Sequence, residues 1–186
     1  MNKQDGSHLE TSIEALIASV GENPQRDGLV GTPTRFLKQM QECLVGYKDD
    51  PKKHIKLFDS EGFHDLVVVS DISFSSICEH HILPFYGRVD IGYLPGKQIL
   101  GLSKFARIVD AFSKRLQVQE RLTKQLADFL EEQLHPELLM VRITAEHTCM
   151  IVRGVARPES NTETFTVRGK SAGREQFIEQ FRRQSA

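Results

Sequence analysis

Strands, then two helices, then strands again, in that order from about residue 65 onward, predict an α+β domain on a mainly antiparallel sheet. Two patterns carry this prediction. Short segments alternate apolar with polar residues, the period of a strand, and two consecutive segments repeat apolar residues three and four apart, the period of a helix face. A third observation bounds the class: 186 residues, 39% hydrophobic and 26% charged, make one ordinary globular chain and exclude collagen-like, disulfide-scaffold and disordered types. An N-terminal helical region, 1–63, is expected to precede a domain spanning 64–186, the two forming one functional unit.

Leu9 to about Val20 carries Ile13, Leu16, Ile17 and Val20 at helical spacing and stops at Gly21 and Asn23-Pro24. Thr32-Pro33 reads as an N-cap and first-turn proline, opening a helix through Phe36, Leu37, Met40 and Leu44 to Gly46. The polar stretch from Tyr47 to His64 is expected to be a surface loop. Leu66 to Ser70 and Ile72 to Ile77 read as strand, with Arg88 to Leu94 as the hairpin partner, ended by Pro95-Gly96. Ser103 is the expected cap of an amphipathic helix through Phe105, Ile108, Val109, Phe112 and Leu116. A second helix carries Leu122, Leu126, Phe129, Leu130 and Leu134. Met140 to Ala145, Ile151 to Val155 and Thr162 to Arg168 read as strands, and Arg174 to Arg183 as the last helix. A few strands with two helices on one face leave open edges, which proteins pair, cover or close into barrels. Oligomerisation through those edges is the expectation.

With 24 basic and 25 acidic residues the net charge is −1, so no global field draws the chain to nucleic acid or an anionic membrane. Apolar runs such as Leu66-Val67-Val68-Val69 are too short to span a bilayer, and the polar Met1 to Gly6 segment lacks a signal peptide's apolar region. A cytoplasmic protein is expected. There an odd cysteine count (Cys43, Cys78, Cys149) points to metal binding or burial rather than disulfides.

Cys78-Glu79-His80-His81 is the most informative stretch. A thiolate and an imidazole three residues apart converge on one cation if the backbone turns between them, and His147-Thr148-Cys149 repeats the pair. Two Cys and up to three His suit Zn²⁺, which takes sulfur and nitrogen together; three protein ligands leave a catalytic site, four a closed structural one. Choosing Cys78, His81 and Cys149 leaves His80 and His147 free for proton transfer. Taken singly, such residues are more often buried thiols and hydrogen-bonded imidazoles; five in two short segments favour a metal. Cys43, with no histidine near it, is assigned to burial.

Lys104 and Arg107 lie three residues apart at the start of a helix, Arg153 follows Cys149 by four, and Arg35 and Lys38 repeat the three-residue spacing. Together they can hold a polyphosphate; solvated surface charge is the plain alternative for any one of them. In Gln117-Val118-Gln119-Glu120-Arg121, a Gln-Glu pair at a helix start can accept a purine's N–H edge, and Glu120 can equally stabilise the helix N-terminus by about 0.3–1 kcal/mol.

These motifs, with Gly101-Leu102-Ser103-Lys104, Arg153-Gly154-Val155, Asn23 to Leu29 and Thr32-Pro33-Thr34-Arg35, closely resemble GTP cyclohydrolase I over about residues 10 to 180. The resemblance implies a tunnelling fold, in which subunits join sheets into a barrel, and a homodecamer with active sites at subunit interfaces, so that Arg35 and Lys38 serve a neighbour. It implies conversion of GTP and water to 7,8-dihydroneopterin triphosphate and formate, the first step toward folate and other pterins. Cys78, His81 and Cys149 match the family's zinc ligands, and His80 and His147 its proton-transfer histidines for opening the guanine ring at C8. Gln119 and Glu120 match the guanine-recognising pair, and Ser103 the residue serving ribose rearrangement. Lys104, Arg107 and Arg153 match the triphosphate clamp, with Arg35 and Lys38 beside it. Asp90, where many members carry His or a small residue, and the short tail 168–173 depart from the pattern. The nitrile reductase of queuosine synthesis shares the fold but works without zinc, and Cys78-Glu79-His80-His81 argues against it. A zinc-stabilised scaffold or purine-binding module would not need His80, His147 and Glu120 together.

Overall fold

The computed structural model describes residues 3–169 and 173–184; the middle of the predicted short tail, 170–172, lies outside the described residues. The chain forms two compact units, the first ending at Leu44 and the second opening at Val45.

The first unit pairs helices α1 (Lys3–Ser19) and α2 (Thr32–Cys43), tied by a 2.7 Å hydrogen bond from Thr34 Oγ1 to Glu10 Oε1. α1 starts six residues before the expected Leu9. Gly31, not Thr32, occupies the cap position of α2 and no side chain caps the helix, so Thr32 is already helical, with Pro33 in the first turn as expected. α2 ends at Cys43 rather than at Gly46.

The second unit opens with two 3₁₀ turns, Val45–Lys48 and Pro51–His54. The expected loop then contains a strand: β1 (Leu57–Asp59) pairs antiparallel with β4 (Gln98–Leu100). Three residues are too few to display a period, which is why the sequence reads as loop there.

The main sheet contains β2 (Val67–Cys78), β3 (Pro84–Leu94), β5 (Leu116–Gln117), β6 (Leu138–His147) and β7 (Asn161–Gly169), in the order β5-β2-β3-β6-β7. Its four long strands are antiparallel, and β5 adds two parallel residues to the edge of β2. The two strand segments expected at 66–70 and 72–77 are one strand broken by a bulge. Its register shifts between Val69 and Ile72, where Asp71 takes a φ of 59°.

Helices α3 (Leu102–Ser113) and α4 (Gln119–Leu134) lie on one face, as the apolar stripes require. Phe105, Ile108, Val109, Leu122, Leu126 and Leu130 meet Phe85, Val89, Ile91, Tyr93, Val141 and Ile143 in the principal core. Gly101 rather than Ser103 holds the cap position of α3, without a side-chain cap; Ser103 is an exposed residue of the first turn. The strand expected at 151–155 is instead the short helix α5 (Thr148–Ile151) followed by turns, with Gly154 at φ 64°.

The last helix, α6 (Arg174–Gln184), covers the opposite face of the sheet at one end. Phe177 and Phe181 pack there with Leu138 and Met140. Gly92 permits this approach, since a Cβ at that position would stand 2.3 Å from the Phe181 ring. Asp90 lies on the same face and is buried. It accepts hydrogen bonds from Arg142 Nη2 (2.9 Å) and from the Asp71 N–H that the bulge releases (2.9 Å). No helix among the described residues is long and apolar enough to cross a membrane.

Candidate active site

Cys78 ends β2, and the chain reverses at once: its N–H bonds Leu83 O at 2.8 Å, and Ile82, at φ 55°, returns an N–H to Cys78 O at 2.9 Å. This tight turn folds His81 back over the strand end, bringing its Nδ1 to 3.8 Å from Cys78 Sγ; His80 Nδ1 is 4.0 Å from the same sulfur. The turn is anchored on α4's entry by Glu79 N to Gln117 O (3.1 Å) and by an ion pair between Glu79 and Arg121.

The second half comes from the end of β6. His147 pairs with Phe85 in the ladder, and Cys149 follows in α5. One ligand atom each from Cys78, His81 and Cys149 lies within 4.8 Å of the others, so this group can hold a metal ion. Two sulfurs and a nitrogen at this separation suit a tetrahedral ion with bonds of about 2.0–2.3 Å. Burial pushes the Cys149 thiol up, and the adjacent Cys78 adds to it while Arg153 pulls the other way. A cation held by the two sulfurs would offset both effects.

These residues line a cleft of about 220 Å³ with His80, Gln117, Val118, Gln119, Glu120, His147, Met150 and Thr162. The His147 ring stacks on Phe85 with centroids 4.7 Å apart and planes 5° from parallel, and its Nε2 lies 2.8 Å from Gln119 Oε1. Burial holds His147 below the ordinary imidazole range, the Glu120 carboxylate opposing this. Glu120 sits in the first turn of α4, exposed at the cleft. Gln119 is 1% exposed, its amide nitrogen 3.0 Å from Ile143 O and Thr162 O and 3.1 Å from Thr164 Oγ1.

The structure thus brings together Cys78, His80, His81, Gln119, Glu120, His147 and Cys149, with Arg153 exposed in the turn beyond α5. It does not bring Ser103, Lys104 and Arg107 to the cleft. They occupy the start of α3, whose other end adjoins the cleft through the Gln117 Nε2 to Phe112 O hydrogen bond. The nine steps from Lys104 to Ser113 span about 14 Å of helix. Arg35 and Lys38 are exposed on α2 in the first unit, where Arg35 Nη2 bonds Gly28 O and Thr32 Oγ1.

Phe85, Thr123 and Thr164 also stand at the site, although the sequence pattern gives none of them a role. The alternating threonines of β7 were the available signal for Thr164; nothing local marks the other two.

A family profile described as GTP cyclohydrolase I matches residues 9–185. The GTP cyclohydrolase 1 of Pelotomaculum thermopropionicum is 46% identical over 166 residues, 89% of this chain and 88% of that protein. The Bacillus subtilis protein of the same name is 41% identical over 99% of this chain and 100% of its own, and that of Streptococcus pyogenes 49% identical over 86% and 83%. Among solved structures, the archaeosine synthase QueF-like in the apo form aligns with a TM-score of 0.48 and 18% identity, over 57% of this chain and 95% of that one.

Proposed function

The chain belongs to the GTP cyclohydrolase I family, and from that premise we propose how its cleft performs the reaction. The chain is an enzyme with GTP cyclohydrolase function. Our reading of the chemistry is hydrolysis and rearrangement of GTP to 7,8-dihydroneopterin triphosphate and formate, at the start of folate and pterin synthesis. The observation that carries the site assignment is the meeting of Cys78, His81 and Cys149 donor atoms in the cleft that also holds His147 and Glu120.

The thiolates of Cys78 and Cys149 and the imidazole of His81 would hold Zn²⁺, a fit supported by the donor set and its spacing. Zinc bound there supplies Lewis-acid activation of water. The Glu120 carboxylate takes the N–H groups of guanine, beside Gln119, and so orients C8 toward the metal ligands. His80 and His147 take up and return the protons that water addition at C8 and formate release require. Arg153, with Lys104 and Arg107, binds the triphosphate, and Ser103 serves the ribose rearrangement. Arg35 and Lys38 add to the triphosphate contacts. All but these last two fall within 64–186, the proposed catalytic domain.

Ser103, Lys104 and Arg107 stand at the far end of α3 from the cleft, which supports a site completed by a second copy of the chain. We read the assembly as a cytoplasmic homo-oligomer, a decamer whose sheets join into a tunnelling-fold barrel.

Incubating zinc-loaded protein with GTP, while following reduced-pterin absorbance and released formate, tests this reading. Equal amounts of both products are expected. Formate without pterin would implicate Ser103, and neither product from a zinc-loaded, intact oligomer would overturn the reading in favour of a purine-binding module.

A further inference from the structure

We infer that Gln119, Thr164 and Thr123 form a relay that fixes the tautomer of His147 and its rotation within the ring plane, making them positioning residues for proton transfer. The inference rests on the reading above, in which His147 moves protons.

The direction of every hydrogen bond in the relay follows from one end. Thr123 Oγ1 lies 2.8 Å from Gln119 O one helical turn back, and a carbonyl only accepts, so the Thr123 hydroxyl donates there. Its 2.7 Å contact with Thr164 Oγ1 must then be one in which Thr164 donates. The Thr164 hydroxyl proton is thereby committed, so Thr164 can only accept from the Gln119 side chain 3.1 Å away. Ile143 O and Thr162 O, both acceptors at 3.0 Å, demand the amide NH₂ in the same place. The two amide hydrogens, shared among these three acceptors, settle which end of the Gln119 amide is nitrogen, and Oε1 is left facing His147 Nε2 at 2.8 Å. An amide oxygen cannot donate. Nε2 therefore carries the hydrogen, and Nδ1 is the nitrogen of this imidazole left with a free lone pair.

Phe85 supplies the second constraint, because stacking at 4.7 Å and 5° holds the ring plane while Gln119 holds its rotation within that plane. Gln119 is 1% and Thr123 3% exposed, with Thr164 half-buried, so water competes little for the hydrogen bonds of the Gln119 amide. The relay crosses α4, β6 and β7, three elements that meet only in the folded chain.

Thr164 offers the cleanest test, since Thr164→Val preserves shape and strand propensity while removing the hydroxyl, and Thr164→Ser restores it. With zinc-loaded enzyme and GTP, Thr164→Val is expected to lower kcat by about tenfold, with KM and zinc content near wild type. Thr164→Ser is expected to stay within about twofold of wild type, a rescue that general loss of packing would not give. Nitrogen-15 NMR of histidine-labelled protein should find His147 as the Nε2–H tautomer in wild type and as a mixture in Gln119→Leu, which removes the amide, while Thr164→Val, which leaves Ile143 O and Thr162 O on that amide, should shift the tautomer less. A proton on Nδ1 of wild-type His147, an unchanged kcat in Thr164→Val, or equal damage from Val and Ser would each overturn the relay. A wild-type protein that releases no formate would instead overturn the functional reading itself.

Discussion

At the scale of single residues, the site depends on donors of one chemistry each. Cys149 is the ligand that joins the β6 half of the site to the turn after β2, and a serine hydroxyl is a poor donor to zinc at neutral pH. Cys149→Ser is expected to lose bound zinc and formate release together, as metal analysis of the purified variant would show; full metal content would remove Cys149 from the ligand set. Glu120 makes a different contribution. Its carboxylate is exposed at the cleft and is not among the metal-binding group, so Glu120→Gln should leave zinc intact. Losing a charge-assisted hydrogen bond costs about 1.5–3 kcal/mol, so KM for GTP should rise at least tenfold in steady-state kinetics. An unchanged KM would move guanine recognition elsewhere. The motif spacing makes both residues legible in the sequence, because a Cys two residues after a His and a Gln-Glu pair are patterns of residue type over short distances.

Elements show where local pattern fails. Asp90 reads as an ordinary charged position on an alternating strand, yet it is 6% exposed. The bulge in β2 turns the Asp71 N–H onto its carboxylate, and Arg142, opposite it on β6, supplies the countercharge while lying 5.6 Å from the Phe181 ring of α6. Removing one partner of such a buried pair strands the other, at about 3–5 kcal/mol. Asp90→Ala should therefore lower stability by roughly 3 kcal/mol in urea unfolding at fixed protein concentration. A loss under about 1 kcal/mol would mean that the pair is effectively solvated.

The turn after α2 offers a pH-dependent case. Burial alone would raise the Asp49 carboxyl, but hydrogen bonds from Lys53 and His54 outweigh it and hold the group below the ordinary carboxylate range. A lowered native pKa means the stabilisation is present at neutral pH and disappears as pH falls through that lowered value. Asp49→Asn should thus melt below wild type at pH 7, with the gap closing only under about pH 4. A gap independent of pH would assign the loss to packing.

For the whole molecule, the arrangement of α3 is decisive. One end adjoins the cleft, while Ser103, Lys104 and Arg107 occupy the other, so a single copy does not gather every proposed substrate contact. If a second copy supplies them, Cys149→Ser and Arg107→Ala subunits, each inactive alone, should complement after subunit exchange. Random pairing gives about one quarter of wild-type activity, since each site needs an intact Cys149 from one subunit and an intact Arg107 from another. Mixed oligomers that stay inactive would confine each site to one chain.

Amino-acid order alone determined the two helices packed on the sheet, the mainly antiparallel character of the sheet and the family's motifs, because helical period, strand period and ligand spacing are short-range properties. Local pattern suggests a strand at Ile151 to Val155, where the chain leaves the sheet in α5, places Leu116 on a helix where it forms β5, and gives no sign of the three-residue β1. Only the tertiary structure decided which face α6 covers, that Asp90 is paired and buried, and that Gln119 faces inward to His147. Each of those outcomes depends on register between strands far apart in sequence and on where a bulge or tight turn aims the next side chain. Such partners are set by close packing of distant segments, which leaves no local period to read.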